Sequence, residues 1–122
     1  MGAADDALEQ VLTLDGAIAV AVIDHTSGLA LAQKQAAAFD LELAAAVNTE
    51  VVKAKLRAIE HLGLDQTIED ILITLSGQYH LLRLSERPEL EGIFYYLVLD
   101  RSRANLALAR RALASLDKDV SL

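Results

Sequence analysis

The chain contains no cysteine and no tryptophan, one proline (Pro88), six glycines and only 4% aromatic residues among its 122. Without cysteine there is no disulfide framework, no thiolate zinc site and no thiol nucleophile. The absence also fits a reducing compartment. Nothing in the chain reads as a linker, a repeat or a low-complexity tract. Basic residues are in deficit: 11 Lys plus Arg against 18 Asp plus Glu leave a net charge of −7. A surface that neutralises phosphates needs the opposite sign, so nucleic acid and anionic membranes are disfavoured as partners. No uninterrupted apolar run approaches the roughly 18 residues of a membrane span, so no membrane insertion is expected. Met1 to Gln10 carries Asp5, Asp6 and Glu9 but no basic residue, unlike a secretory signal, so a cytoplasmic location is expected.

What the chain has in quantity is apolar surface, 53% of its residues, which excludes a disordered polymer. Its length suits one domain, residues 1–122, able to bury roughly two thirds of the surface its unfolded form exposes.

The pattern of those residues predicts eight elements. Ala3 to Thr13 reads as a short helix with Leu8, Val11 and Leu12 on one face. Gly16 to Asp24 is a continuous apolar run, suited to a strand covered on both faces. His25 to Gly28 is turn chemistry, and Leu29 to Lys34 a second strand. Asp40 to Leu62 is a long helix, with Asp40 as N-cap and Gly63 as stop signal. Ile68 to Ser76 and Gln78 to Ser85 form a hairpin about Ser76-Gly77. Arg87 to Gly92 is a longer turn. Ile93 to Leu99 is the most β-prone segment and a central strand. Asp100 is read as the cap of a last helix, Arg101 to Leu116. The order αββαβββα implies an α+β fold: an antiparallel meander in one sheet with helices on both faces.

The long helix is apolar over more than half its circumference, whereas lying on one sheet requires a stripe of about 100° or somewhat more. The surplus includes Val47, Val51, Ala54 and Ala58. Either the chain's own loops and ends cover it, or a second copy does, in a self-complementary dimer. Asn48 and Lys55 fall inside the arc, one heptad apart. Lys55 can snorkel to water along its alkyl stem; alternatively both sit at a dimer seam, where Asn48 fixes the register. The polar arc holds Glu42, Thr49, Glu50, Lys53, Arg57, Glu60 and His61. On the last helix Asn105 lies among apolar residues, which suggests a bond to loop backbone. Arg101, Arg103, Arg110 and Arg111 concentrate there as a solvated face or, alternatively, as an arginine acting in trans on a nucleotide.

Catalytic signatures are missing. There is no GxxxxGK[ST], GxGxxG, GxSxG or HExxH. His25, His61 and His80 show no ligand spacing, and His80 reads as a core or sheet-surface residue. Asp5-Asp6 and Glu69-Asp70 read as a helix start and a solvated strand face. No nucleophile, base and orienter come together.

Four stretches in this order carry a resemblance: LDGAIAVAVIDHTSGLAL (Leu14–Leu31), AAAVNTEVVKAK (Ala44–Lys55), IEDILITLSGQYHLLR (Ile68–Arg83) and FYYLVLDRSRANLALAR (Phe94–Arg110). The chain resembles the roadblock family, named after a dynein light chain, and within it the stand-alone bacterial and archaeal members. The resemblance implies a five-stranded antiparallel sheet with the long helix on one face and the terminal helices on the other. It also implies a homodimer or heterodimer in which the strand after the long helix pairs with its mate and the two long helices lie side by side. The interface is then expected at Val47, Asn48, Val51, Ala54, Lys55, Ala58, Ile71 and Ile73. Family members bind small Ras-like GTPases as regulators or scaffolds, and those that stimulate hydrolysis reposition the GTPase's own residues. The implied function is a non-catalytic dimeric adaptor or regulator of a small GTPase, with no cofactor or metal, and with Glu50, Lys53, Arg57 and Glu60 on the partner-facing arc. The alternative is a general assembly scaffold without a GTPase partner.

Overall fold

The β-rich stretch Ile93–Asp100 forms the middle strand of a five-stranded antiparallel sheet in the computed structural model, which describes residues 3–122. In chain order the elements are α1 (Ala3–Leu12), β1 (Ala17–Asp24), β2 (Leu29–Gln35), α2 (Leu41–His61), β3 (Asp70–Thr74), β4 (Gln78–Leu84), a 3₁₀ turn (Pro88–Leu90), β5 (Ile93–Asp100) and α3 (Leu106–Asp119). The strands lie in the order β2-β1-β5-β4-β3. The expected αββαβββα order and the β3-β4-β5 meander are both present.

Side chains alternate across β1 and β5, as the two-residue period of a strand requires. Val20, Val22, Tyr95, Leu97 and Leu99 point to one face, where α1 and α3 cover them with Leu8, Val11, Ala109, Leu113 and Leu116. Ala19, Ala21, Ile23, Phe94, Tyr96 and Val98 point to the other, under Leu41, Ala44, Ala45 and Val52 of α2. The alanines on β1 and α2 let helix and strand approach closely, which decides which arc of α2 turns inward.

Asp40 caps α2, its carboxylate accepting from the Leu43 amide at 3.0 Å, and Gly63 follows the helix with φ +63°, the left-handed conformation that favours glycine. At Gly16 the constraint is tighter. Its φ is +85°, and a Cβ there would lie 3.1 Å from the Asp100 carbonyl oxygen and 3.2 Å from the Ala104 nitrogen.

The structure corrects three expectations. Asp100 does not cap the last helix: it ends β5 and accepts from the Ser102 amide at 3.0 Å, closing a local turn. The cap is Asn105, which accepts from the Leu108 amide at 3.1 Å, so α3 begins at Leu106 and Arg101 and Arg103 lie outside it. The strand expected over Ile68 to Ser76 is confined to Asp70–Thr74, because the bond from the Leu75 amide to the Gln78 carbonyl already belongs to the turn. Thr49, placed on the polar arc, is buried and donates to the Ala45 carbonyl at 2.7 Å.

Candidate functional site

Two helices cover one face of the sheet and one covers the other, and the site follows from that imbalance. Five strands about 4.8 Å apart make a surface too wide for a single helix about 10 Å across. The α2 helix packs mainly over β1 and β2. On the β4–β3 side of the same face Ile71, Ile73 and Leu84 are only partly buried. Phe39, from the β2–α2 connection, reaches over part of this trough and meets His80 edge-on at 5.9 Å.

The trough is bordered by the surplus apolar arc of α2. Val47 is 52% exposed, Leu43 60% and Leu62 69%; Ala54 is exposed, and Val51 and Ala58 are half-buried. Leu43, Val47, Val51, Ala54, Ala58 and Leu62 follow one another at spacings of three and four, the repeat by which one helix presents a seam to another. Leu43 and Leu62 extend this stripe beyond the residues singled out from the sequence. Lys55 is exposed at its border. Asn48 lies beneath the helix, 7% exposed, and donates to the Ala44 carbonyl at 2.9 Å. A single chain therefore already buries Asn48.

The two sheet edges differ. On β2 the register slips between Val22 and Ile23, so Leu31 has no opposite number; such a bulge blunts an edge. The β3 strand runs in register with β4 from Asp70 opposite Arg83 to Thr74 opposite Tyr79. Its outer side offers a regular edge beside the trough.

A polar chain crosses this face. The Tyr96 hydroxyl lies 2.9 Å from His80 Nδ1, and His80 Nε2 lies 2.8 Å from Gln78 Oε1. Burial lowers the His80 pKa. It raises that of Tyr96 to about 12, against a small opposing effect of the neighbouring Asn48 side chain.

Of the charged residues expected to meet a partner, Glu50, Arg57 and Glu60 are exposed and Lys53 is half-buried. Glu50 and Lys53 line a cleft between α2 and the β1–β2 turn, with Thr26, Ser27 and Glu42. Among the described residues none of the four forms an ion pair. Three of the four arginines near the last helix are engaged structurally: Arg101 donates to the Leu75 carbonyl at 3.1 Å, Arg103 to Asp15 at 3.0 Å and Arg110 to Asp70 at 3.1 Å.

One cluster gave no signal in the sequence. Asp117, near the end of α3, accepts from Ser85 Oγ at 2.5 Å, the Tyr95 hydroxyl at 2.6 Å and the Glu86 amide at 2.9 Å. Arg87 donates to the Asp117 and Val120 carbonyls at 2.9 and 2.7 Å. Burial acts to raise the Asp117 pKa, but the hydrogen bonds, that from Ser85 foremost, outweigh it and hold the carboxyl below its ordinary value. Burial, then the bond to Asp117, raises the Tyr95 pKa. The cluster fastens α3 to the turn after β4. Among the described residues no group of His, Asp and Glu side chains is placed to hold a metal, and no helix is long and apolar enough to cross a membrane.

The fold also has close counterparts among solved structures. A Roadblock/LC7 domain from Streptomyces avermitilis superposes with a TM-score of 0.80 at 12% identity, over 93% of this chain and 91% of that one. The fold is that of the roadblock domain. A gliding protein, MglB, from Thermus thermophilus gives a TM-score of 0.74 at 22% identity, over 97% of this chain and 90% of that one. Myxococcus xanthus MglB gives 0.82 at 11% identity, over 96% of this chain and 84% of that one. No family model matches the sequence, and no curated protein matches it. The roadblock likeness is therefore one of architecture, held by burial pattern and strand order at low sequence identity.

Proposed function

We propose that this chain is a non-catalytic adaptor that dimerises through α2 and β3 and, as a dimer, binds a small Ras-like GTPase, modulating its nucleotide cycle or its location. The observation that carries the reading is the half-covered sheet face: a trough over β3 and β4, bordered by the partly exposed apolar stripe from Leu43 to Leu62 and by a regular free edge. The α2 helix of a second copy, turned by a two-fold axis, has the width and apolar character to fill that trough. Val47, Val51, Ala54 and Ala58 then meet their counterparts, and β3 meets β3 to continue the sheet. One solved structure of the same fold bears the description "MglB with tetrameric arrangement", with a TM-score of 0.73 at 22% identity, which supports self-association as a habit of the architecture.

The GTPase half of the reading rests on the roadblock resemblance and on the charged arc of α2 that such a dimer leaves outward. The test is equilibrium binding of the purified chain to each small Ras-like GTPase of its source organism, loaded with GDP or with a non-hydrolysable GTP analogue. Binding that depends on the nucleotide supports the regulator. Equal binding to both forms favours the plain scaffold, and no binding to any of them overturns the GTPase reading.

A further inference from the structure

The face of the sheet opposite the trough carries a second unfilled surface. Between α1 and α3 runs a groove of about 720 Å³. Its floor is Val11 and Leu116, both 3% exposed, and Leu108 stands at its rim, 46% exposed. Leu14, just past the end of α1, lies with Leu108 near the start of α3, so the two helices run antiparallel. Asp6 and Asp119 therefore share the opposite end, both exposed. Arg111 lines the groove between the acidic and apolar ends. Among the described residues none of these three charges forms an ion pair.

We propose that this groove receives one helix of another protein, amphipathic, about three turns long and basic at one end. The length follows from the eleven-residue separation of Leu108 and Asp119, about 16 Å at 1.5 Å per residue. The charge pattern follows from the lining. A Lys or Arg meets Asp6 and Asp119, and an Asp or Glu about eight residues away meets Arg111, which is eight residues from Asp119. Apolar residues at i, i+3 or i+4, and i+7 cover Leu108, Val11 and Leu116, as helices laid into apolar grooves do. A second copy of this chain does not fit. Two such grooves facing each other across a two-fold axis leave both concavities empty. The net charge of −7 attracts a basic partner at long range.

The test pans a displayed library of amphipathic helices against the full chain and measures the selected peptides by fluorescence anisotropy. Selected sequences are expected to carry the basic end and the distant acid. Their affinity is expected to fall at least about tenfold on Leu108→Glu, to change less than about twofold on Leu64→Glu, an exposed leucine beyond the end of α2, and to pass to acid-ended peptides on Asp6→Lys with Asp119→Lys. Melting curves of each variant confirm that the fold is retained. The proposal is overturned if no peptide binds, if binding ignores Leu108→Glu, or if the parent selects acid-ended helices. Sedimentation showing that Leu108→Glu splits a higher assembly of this chain also overturns it, because the occupant is then another copy.

Discussion

At the scale of single residues, the buried polar groups give the clearest expectations. Asp117 accepts three hydrogen bonds from groups far away in sequence, Ser85, Glu86 and Tyr95. Asp117→Asn keeps the shape but places an amide against some of those donors. The expected cost is about 1–3 kcal/mol, the penalty for unsatisfied buried groups, read as a lowered urea midpoint. Because the folded carboxyl titrates below its ordinary 3.8, its contribution is complete above that pH and is lost as pH falls through the folded-state value. The parent is therefore expected to lose stability in strong acid more steeply than Asp117→Asn. His80 behaves differently. Burial lowers its pKa below 6.5, so near and below that pH the unfolded chain binds more protons than the folded one and stability falls as pH falls. Melting temperatures measured from about pH 7 to about pH 5 are expected to drop in the parent and to drop less in His80→Gln, which cannot charge. The sequence placed His80 in the core or on the sheet surface but not its bond to Tyr96, and it gave no signal for Asp117. Asp117 sits in a polar helix end, SLDKD, that reads as solvated, and only the fold brings Tyr95 to it across 22 positions.

At the scale of elements, the sequence spoke clearly wherever one segment decided its own state. Continuous apolar runs marked β1 and β5, and Asp40 and Gly63 marked the ends of α2, because caps and strand periods are local. It spoke poorly where a neighbour decided. Asp100 and Asn105 are equally good caps in isolation. Asn105 wins because the Asp100 amide is bound to the Gly16 carbonyl at 2.7 Å and its side chain to the turn at Ser102. The apolar arc of α2 announced a surplus but not its exact members, since Ala19 and Ala21 of β1 choose which arc turns inward. That choice now separates two substitutions. Val51 packs against the chain's own core as well as bordering the trough, so Val51→Asp is expected to weaken both the monomer and the dimer. Val47 is 52% exposed, so Val47→Asp is expected to break the dimer by burying an unpaired charge while leaving the monomer's urea midpoint unchanged. Sedimentation equilibrium at micromolar concentration checks the first effect and denaturant unfolding the second. A Val47→Asp chain that remains dimeric places the seam elsewhere.

At the scale of the whole molecule, the paired α2 helices would present Glu50, Lys53, Arg57 and Glu60 twice, once from each copy. A surface of mixed charge sets the orientation and rate of association more than its strength. The simplest competing role is solubility through pairing along the helix, worth about 0.2–0.5 kcal/mol per pair, yet none of the four makes an ion pair among the described residues. Reversing Lys53 and Arg57 to Glu tests the partner-facing role, but it also takes the net charge from −7 to −11, four units more negative. A global change of that size alone slows association with any acidic partner. The control is Arg111→Glu with Lys118→Glu, which produces the same −11 on α3, across the sheet. The Lys53 and Arg57 reversal is expected to weaken binding to a nucleotide-dependent GTPase partner about tenfold at low salt and to flatten its salt dependence. The α3 reversal is expected to change that binding less than about twofold, with both variants still dimeric and melting within about 2 °C of the parent, as surface substitutions do. Equal losses from the two reversals would assign the effect to net charge and remove the outer arc of α2 from the binding surface.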